Sequence, residues 1–457
     1  MRINHHRAFW ILCIGALVAG VLVRLWNIGA PIADWHSWRQ ADTAAVARNF
    51  IKFGIDPLRP RYDDLSNIQS GKDNPMGWRM VELPVYQLKA AVLARIFPTV
   101  SVEVLLRLIT VAASMGTAFL LARMFHSWLV AWVYALLPYG IFYGRTILPE
   151  PLAVFFAIAS VYLLHISKGK RSRILAAAGS AALALLIKPT AGFLLVPAAY
   201  FLWRTPVAAL IYGGIALAPL VWWRQWIGQF PEGIPVYEWL LNAGNIRFKG
   251  AWFWWLFAKR IGELILGFWG LILLGFGLTG RQDKEHAWML RLMLLGSLAY
   301  LVVFAAGNVQ HDYYQIILLP VISVYVARGI EVLWKINKPL VVISILFMAA
   351  FSWYTMRTYY WINRPEIVEA GRAADALLPP DAKVIAPYNG DTTFLYHTNR
   401  QGWPLGFDID EKITMGATHY VTVSPTDADG ETKDLASRYA VLVRNDKYAI
   451  IDLTKPQ

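Results

Sequence analysis

Apolar runs of about 15 to 22 residues, separated by short polar connections, recur from residue 9 to residue 356. A helix needs roughly 20 apolar residues to cross a hydrocarbon core of about 30 Å, and the runs match that length. The alternating ten-residue segments of a membrane barrel do not occur. The pattern predicts eleven spans, at 9–26, 104–122, 128–144, 152–167, 174–187, 190–203, 207–223, 261–279, 288–306, 313–328 and 339–356. The first run follows "MRINHHR" and continues to Trp26 without a small-residue cleavage site, so it is expected to be a retained span rather than a leader.

One further apolar stretch, "ELPVYQLKAAVLARIF" at 82–97, would invert every later connection if it crossed the membrane. It is predicted instead to lie along the interface, with Lys89 and Arg95 reaching toward water. After residue 356 the pattern changes. The runs "AKVIAP", "HYVTVSP", "AVLVRN" and "YAIID" read as strands between helical segments. The expected architecture is an all-α polytopic membrane bundle of about eleven helices, residues 1–356, with a large first outer loop at 27–103. A small soluble α/β domain, 357–457, follows it.

Composition supports this class: 57% of the 457 residues are hydrophobic, 16% are charged, and 21 are tryptophan. The formal charge of +13 would suit a nucleic-acid partner if the basic residues were clustered. They fall instead in short loops such as "KGKRSR" at 168–173, "GRQDKEH" at 280–286 and "WKINK" at 334–338, where they set topology. Nucleic acid is therefore not expected as a partner. Membrane lipids are. With those loops cytoplasmic, the polar pieces gather on the opposite, outer face: loop 27–103, "GRTILPEP" at 144–151, Lys188 in "IKPT", loop 224–260, "GNVQHDYY" at 307–314 and the C-terminal domain. The single cysteine, Cys13, excludes an intrachain disulfide.

The outer pieces carry the candidate chemistry. Asp34 and Asp42 lie in "ADWHSWRQADT", 33–43, at the exit of the first span, where a carboxylate facing a bundle interior signals function. Asp42 opens "DTAAVARNFIKFG" and would also serve as a helix cap. Arg39, Arg79 and Lys188 suit a phosphate, the arginines through a bidentate fork and the lysine as a point charge; they also suit balancing nearby acids. Trp35, Trp38 and Trp78 suit either stacking on a sugar or an interfacial aromatic belt. Glu82 and Glu150 stand beside prolines at expected helix starts, where an acid also has a purely structural use. His311 and Asp312, with Glu82 or Glu150, are the candidates for a divalent metal, the one cofactor these residues admit, though no tight His/Glu spacing backs them.

Taken in order, an acid-bearing first loop, "E-x-P" at Glu82, "R-x-x-x-P-E" at 145–150, lysine in "IKPT" and "H-x-Y-Y" at 311–314 resemble the GT-C glycosyltransferases. The likeness is to the bacterial branch related to protein O-mannosyltransferases and lipid A aminoarabinose transferases, and it extends along essentially the whole chain. It implies inverting transfer of a hexose or pentose from a polyprenyl-phosphate sugar to a lipid, glycan or protein acceptor at the outer face of the bacterial cytoplasmic membrane. It also implies a first-loop catalytic base, Asp42, with Asp34 as second candidate; Thr43 stands where the family pattern has Glu. Glu150 matches the second-loop acid. Glu82-Leu83-Pro84 stands where the aminoarabinose enzymes carry Glu-Lys-Pro, so Arg79 or Arg39 must supply the missing charge beside the donor phosphate, together with Lys188. Trp38, Glu82, Glu150, His311 and Tyr314 are the expected substrate contacts.

Two other readings fit the polar outer face. An O-antigen ligase or polymerase, acting on pyrophosphate-linked glycans, would use the basic residues Arg224, Arg247, Lys249, Lys259 and Arg260 of loop 224–260. A transporter of a lipid-linked substrate would show paired halves or matched broken helices. No internal repeat is evident.

Overall fold

A computed structural model describes residues 5–280, 283–426 and 430–457. The chain divides into two compact units. The first comprises Met1–Ile28, Arg107–Trp226 and Tyr237–Tyr359; the second comprises Gly29–Leu106, Ile227–Val236 and Tyr360–Gln457. The first outer loop, grouped in the sequence with the membrane helices, thus falls in one unit with the C-terminal region.

The first unit is helical. Six of the eleven expected spans coincide with helices long and apolar enough to cross a membrane, at His6–Leu25, Val102–Met124, Pro206–Ile227, Lys284–Val303, Asp312–Trp334 and within Lys338–Leu377. The expected span 261–279 is not one helix. It belongs to the pair Gly250–Ile265 and Gly270–Thr279, bent by 109°, with Gly267 and Phe268 both at positive φ in the break. The other four expected spans are shorter or interrupted. Segment 128–144 breaks into Trp128–Leu136 and Pro138–Tyr143, segment 152–167 is a helix at Glu150–His165, and segment 174–187 is a helix at Arg171–Ile187. Segment 190–203 is a 3-10 helix, Pro189–Leu195, followed by a short helix, Ala198–Leu202.

The break at Pro138 has a local cause and a local remedy. Proline cannot donate to the helical ladder, so carbonyls around it lose their partners. In a bundle interior each unsatisfied carbonyl costs several kcal/mol. The fully buried Arg24 donates on both sides of the break, to the carbonyls of Ala135 and Gly140 at 2.7 Å each, and to that of Gly20 in its own helix at 2.9 Å. Close helix packing is also visible where Gly270–Thr279 meets Leu319–Trp334. A Cβ on Gly277 would overlap the Tyr325 carbonyl and one on Gly329 the Leu273 carbonyl, so small residues set this approach.

The second unit is built on a five-stranded sheet of order β2-β1-β3-β5-β4, with β1 Lys383–Ile385, β2 Gln401–Trp403, β3 His419–Thr422, β4 Tyr439–Arg444 and β5 Ala449–Pro456. The β1 strand pairs in parallel with β2 and β3, and β5 runs antiparallel to β3 and β4. All four expected strand runs are strands; β2 is additional. The helix Pro365–Leu377 buries Ile367, Val368, Ala370 and Ala374 against Val384, Phe394 and Ile450. On the other side Ile385, Trp403, Tyr420 and Ile451 pack with Leu65 of the first loop.

That loop is joined to the sheet by backbone as well. The edge strand β2 exchanges hydrogen bonds with it, Leu65 N–H to the Gly402 carbonyl at 2.8 Å and Gly402 N–H to the Asp63 carbonyl at 2.9 Å. An edge that would otherwise offer unpaired groups is thereby covered. The helix Ser37–Phe53 is tied in through Arg48, which bonds the Asp63 carboxylate and the Tyr396 carbonyl and lies 3.9 Å from the Tyr396 ring centre. The segment expected along the interface forms a helix at Val85–Ile96, about 18 Å long and too short to span. It buries Tyr86, Gln87, Ala90 and Ala91 while Lys89, Val92 and Arg95 stay exposed.

Candidate functional site

The expected site residues fall into two groups, one in each unit. In the second unit the centre is Asp42, buried to 1% exposure on the helix Ser37–Phe53. It is not a helix cap. The helix starts five residues earlier, after His36 at positive φ, so Asp42 sits in its second turn and takes its partners from elsewhere in the unit. Arg79 Nη2 lies 3.0 Å from Oδ2, Gln69 Nε2 donates to Oδ2 at 3.1 Å, and Thr392 Oγ1 donates to Oδ1 at 2.7 Å. A carboxylate offers about four acceptor sites, so three donors leave one on Oδ1.

Arg79 is held in turn. Its Nη1 donates to Gln69 Oε1, and its guanidinium lies 5.1 Å from the centre of the Tyr62 ring. Arg39 forms a 2.6 Å ion pair with Glu82, both almost fully buried. Asp42, Arg79, Arg39 and Glu82 line one small cleft together with Thr43, Pro60, Pro84 and Gln87. Two further acids stand near. Burial pushes the Asp64 carboxyl up to about 6, against hydrogen bonds from Ser66 and with the Asp42 charge adding to it. Burial also raises Asp391, again with Asp42 contributing and with bonds from Thr393 opposing.

Asp34, the second candidate base, accepts from Gln40 Nε2 at 2.7 Å. Trp38 is half-buried and its carbonyl lies 3.4 Å from Thr392 Oγ1, while Trp35 is exposed. Trp78 is buried under the Arg61 guanidinium, 4.7 Å from its ring, and beside Phe230. Its packing is that of a core residue.

The second group lies in the first unit. Glu150 opens its helix and Lys188 follows the end of another, in extended backbone just before Pro189. Their side chains pair, Lys188 Nζ to Glu150 Oε1 at 2.6 Å, with Glu150 buried to 2%. Lys188 also lies 5.8 Å from the Tyr314 ring, and the His311 ring stacks at an angle 5.6 Å from Tyr314 and 5.6 Å from Trp239. Four expected residues, Glu150, Lys188, His311 and Tyr314, are thus brought together. Asp312 beside them is committed to the protein itself, accepting from the hydroxyls of Tyr143 and Tyr359 with Arg260 at 3.6 Å.

Sequence reasoning did not single out Gln69, Tyr62, Asp64 or Thr392. Thr392 had a signal: Asn389-Gly390, both at positive φ, is a turn dipeptide that presents Asp391 and Thr392. Among the described residues one group of three metal-capable side chains lies within mutual reach, His126, His165 and His286, and it contains none of Glu82, Glu150 and His311.

Neither a protein-family model nor a curated protein matches the sequence. Solved structures do match in fold. ArnT from Cupriavidus metallidurans, in the apo state, superposes with a TM-score of 0.67 at 12% identity, covering 98% of each chain. The same protein bound to undecaprenyl phosphate gives 0.64 at 12% identity, over 96% of this chain and 97% of that one. The archaeal oligosaccharyltransferase AglB from Archaeoglobus fulgidus, in complex with an inhibitory peptide and a dolichol-phosphate, gives 0.57 at 11% identity, over 95% of this chain and 72% of that one. Along nearly its whole length, therefore, this chain has the fold shared by ArnT and the archaeal oligosaccharyltransferase.

Proposed function

We propose that the protein is an inverting membrane glycosyltransferase with Asp42 as its base. It moves a single sugar from a polyprenyl-phosphate donor to an acceptor hydroxyl at the outer face of the bacterial cytoplasmic membrane. The observation that carries this reading is the buried cluster of Asp42 with Arg79, Gln69 and Thr392, set in the first loop of a fold whose solved examples bind undecaprenyl phosphate and dolichol-phosphate. Three donors fix the carboxylate and leave Oδ1 room to accept a proton. The acceptor oxygen attacks the anomeric carbon from the face opposite the phosphate, and its proton passes to Asp42. The bond from that carbon to the phosphate oxygen breaks, and its electron pair leaves on the lipid phosphate. General-base help of this kind contributes typically 10²- to 10⁴-fold. Arg79 has donors beyond those aimed at Gln69 and Asp42, and these can meet the charge developing on the phosphate.

Lys188, paired with Glu150 beside Tyr314 and His311, is the cation of the first unit's own cluster and suits a phosphate as a point charge. The ligase reading, with pyrophosphate-linked glycans, draws less support. Arg247 is occupied by the carbonyls of Leu241 and Val303, Arg260 by that of Val309, and Lys259 by Glu263.

The test uses wild type, Asp42→Asn and Asp34→Asn with a panel of polyprenyl-phosphate sugars and candidate acceptors, following release of polyprenyl phosphate. Release by wild type and Asp34→Asn, with a folded but inactive Asp42→Asn, supports the reading. Loss with Asp34→Asn alone moves the base. Consumption only of a pyrophosphate-linked glycan replaces the transferase by the ligase.

A further inference from the structure

Three histidines that play no part in the proposed transfer meet at one end of the helical unit. His126 lies in the turn between Val102–Met124 and Trp128–Leu136, His165 ends Glu150–His165, and His286 lies in the first turn of Lys284–Val303. Far apart in sequence, they offer ring nitrogens all within 4.8 Å of one another. Their ring centres are 5.7 Å apart for His126 and His286 and 5.4 Å for His165 and His286.

Two of the rings are braced by carboxylates. His165 Nδ1 is 2.7 Å from Glu285 Oε1, and His286 Nδ1 bonds Asp283 Oδ2. A carboxylate on the far nitrogen is the arrangement that fixes a metal-binding imidazole, because it sets the tautomer and raises the basicity of the ligating nitrogen. Histidines gathered only by packing would need no such bracing. The neighbouring charges also suit a cation, since Asp283 and Glu285 offset the Arg123 that precedes the turn.

We infer that His126, His165 and His286 form a binding site for a zinc-like divalent cation, separate from the proposed transferase site. Imidazole suits Zn²⁺, and three protein nitrogens leave a fourth position to water. Ligands at about 2.0–2.1 Å in a tetrahedron sit about 3.3 Å from each other, so the cluster must tighten by up to about 1.5 Å. His126 is exposed on a turn and can supply that movement. His286 Nε2 is 2.8 Å from the Met124 carbonyl and exchanges that partner for the ion on binding. The bound ion ties together the ends of three helices.

The experiment uses the full chain without an affinity tag, in detergent, loaded with zinc and desalted, with zinc counted per chain by mass spectrometry. His126→Asn is the deciding variant because its side chain is exposed; His165→Ala and Glu285→Gln accompany it. Wild type should carry about one zinc per chain more than His126→Asn, at an unchanged elution profile. Glu285→Gln should bind 10- to 100-fold more weakly in a zinc titration. Any zinc at another site is common to all variants and cancels in the comparison. Equal zinc content in wild type and His126→Asn overturns the inference, as does zinc that raises the Tm of both to the same extent.

Discussion

Arg79 Nη2 stands 3.0 Å from Asp42 Oδ2 while the same guanidinium donates through Nη1 to Gln69, which itself donates to that Asp42 oxygen. The three side chains close a ring in which each fixes the other two. Arginine alone among the cations has a planar fork able to hold two acceptors at once. Arg79→Lys therefore keeps the charge and loses the ring. Arg79→Ala is expected to lower kcat/KM for the polyprenyl-phosphate donor by about 10²- to 10³-fold, the range for loss of a donor aimed at developing charge. Arg79→Lys should recover only part of it. Steady-state kinetics check this; an Arg79→Ala enzyme within twofold of wild type removes Arg79 from the machinery.

Thr392 reaches the other Asp42 oxygen, donating to Oδ1 at 2.7 Å from the turn after Gly390. Thr392→Val preserves shape and deletes the donor. A hydrogen bond to a charged group is worth about 1.5–3 kcal/mol, so kcat should fall at least about tenfold with donor KM little changed. Thr392→Ser should restore most of it. If valine and serine behave alike, the hydroxyl does not position the base.

Much of this was legible in the sequence, and the exceptions are physical. Apolar runs of this length and without alternation mark helical segments because lipid tolerates only helices and closed barrels, and each expected span contains helix. Their continuity was less legible: Pro138 is a visible breaker, but the bend at Gly267 and Phe268 needs two positive φ angles that no composition dictates. The pairing of 63–65 with the edge of β2 joins positions more than 300 residues apart, and no local pattern encodes it. Asp42 was visible as an acid in a polar loop. Its role as a helix cap was misleading because the helix begins at Ser37, after a left-handed His36 that sequence gives no reason to expect.

Lys188 and Glu150 form an ion pair at 2.6 Å with side-chain exposures of 15% and 2%. Removing one member of a buried pair leaves the other charged and unpaired, which costs about 3–5 kcal/mol, whereas removing both is far milder. Lys188→Met should lower Tm markedly, and Lys188→Met combined with Glu150→Gln should regain most of the loss. Activity should stay low in both if Lys188 also holds the donor. A double variant no more stable than Lys188→Met would show that the pair is not coupled.

His397 offers a test of how the second unit responds to acid. Its Nε2 is bonded to the Ile32 carbonyl at 2.8 Å. Burial, with Arg48 and Arg372 adding to it and the Ile32 carbonyl and Glu103 opposing, lowers the imidazole from 6.5 to about 4. A group lowered in this way is neutral in both states above pH 6.5 and costs nothing there. As pH falls from 6.5 toward 4 the unfolded chain takes up the proton first, so stability declines through that window and levels off below it. The full loss is about 3 kcal/mol for a lowering of this size. His397→Gln keeps a donor for Ile32 and does not titrate. Its Tm should fall less steeply than that of wild type between pH 6.5 and 4, the two curves running parallel above pH 7. Parallel curves through the whole range would mean that His397 is as easily protonated in the folded chain as in water.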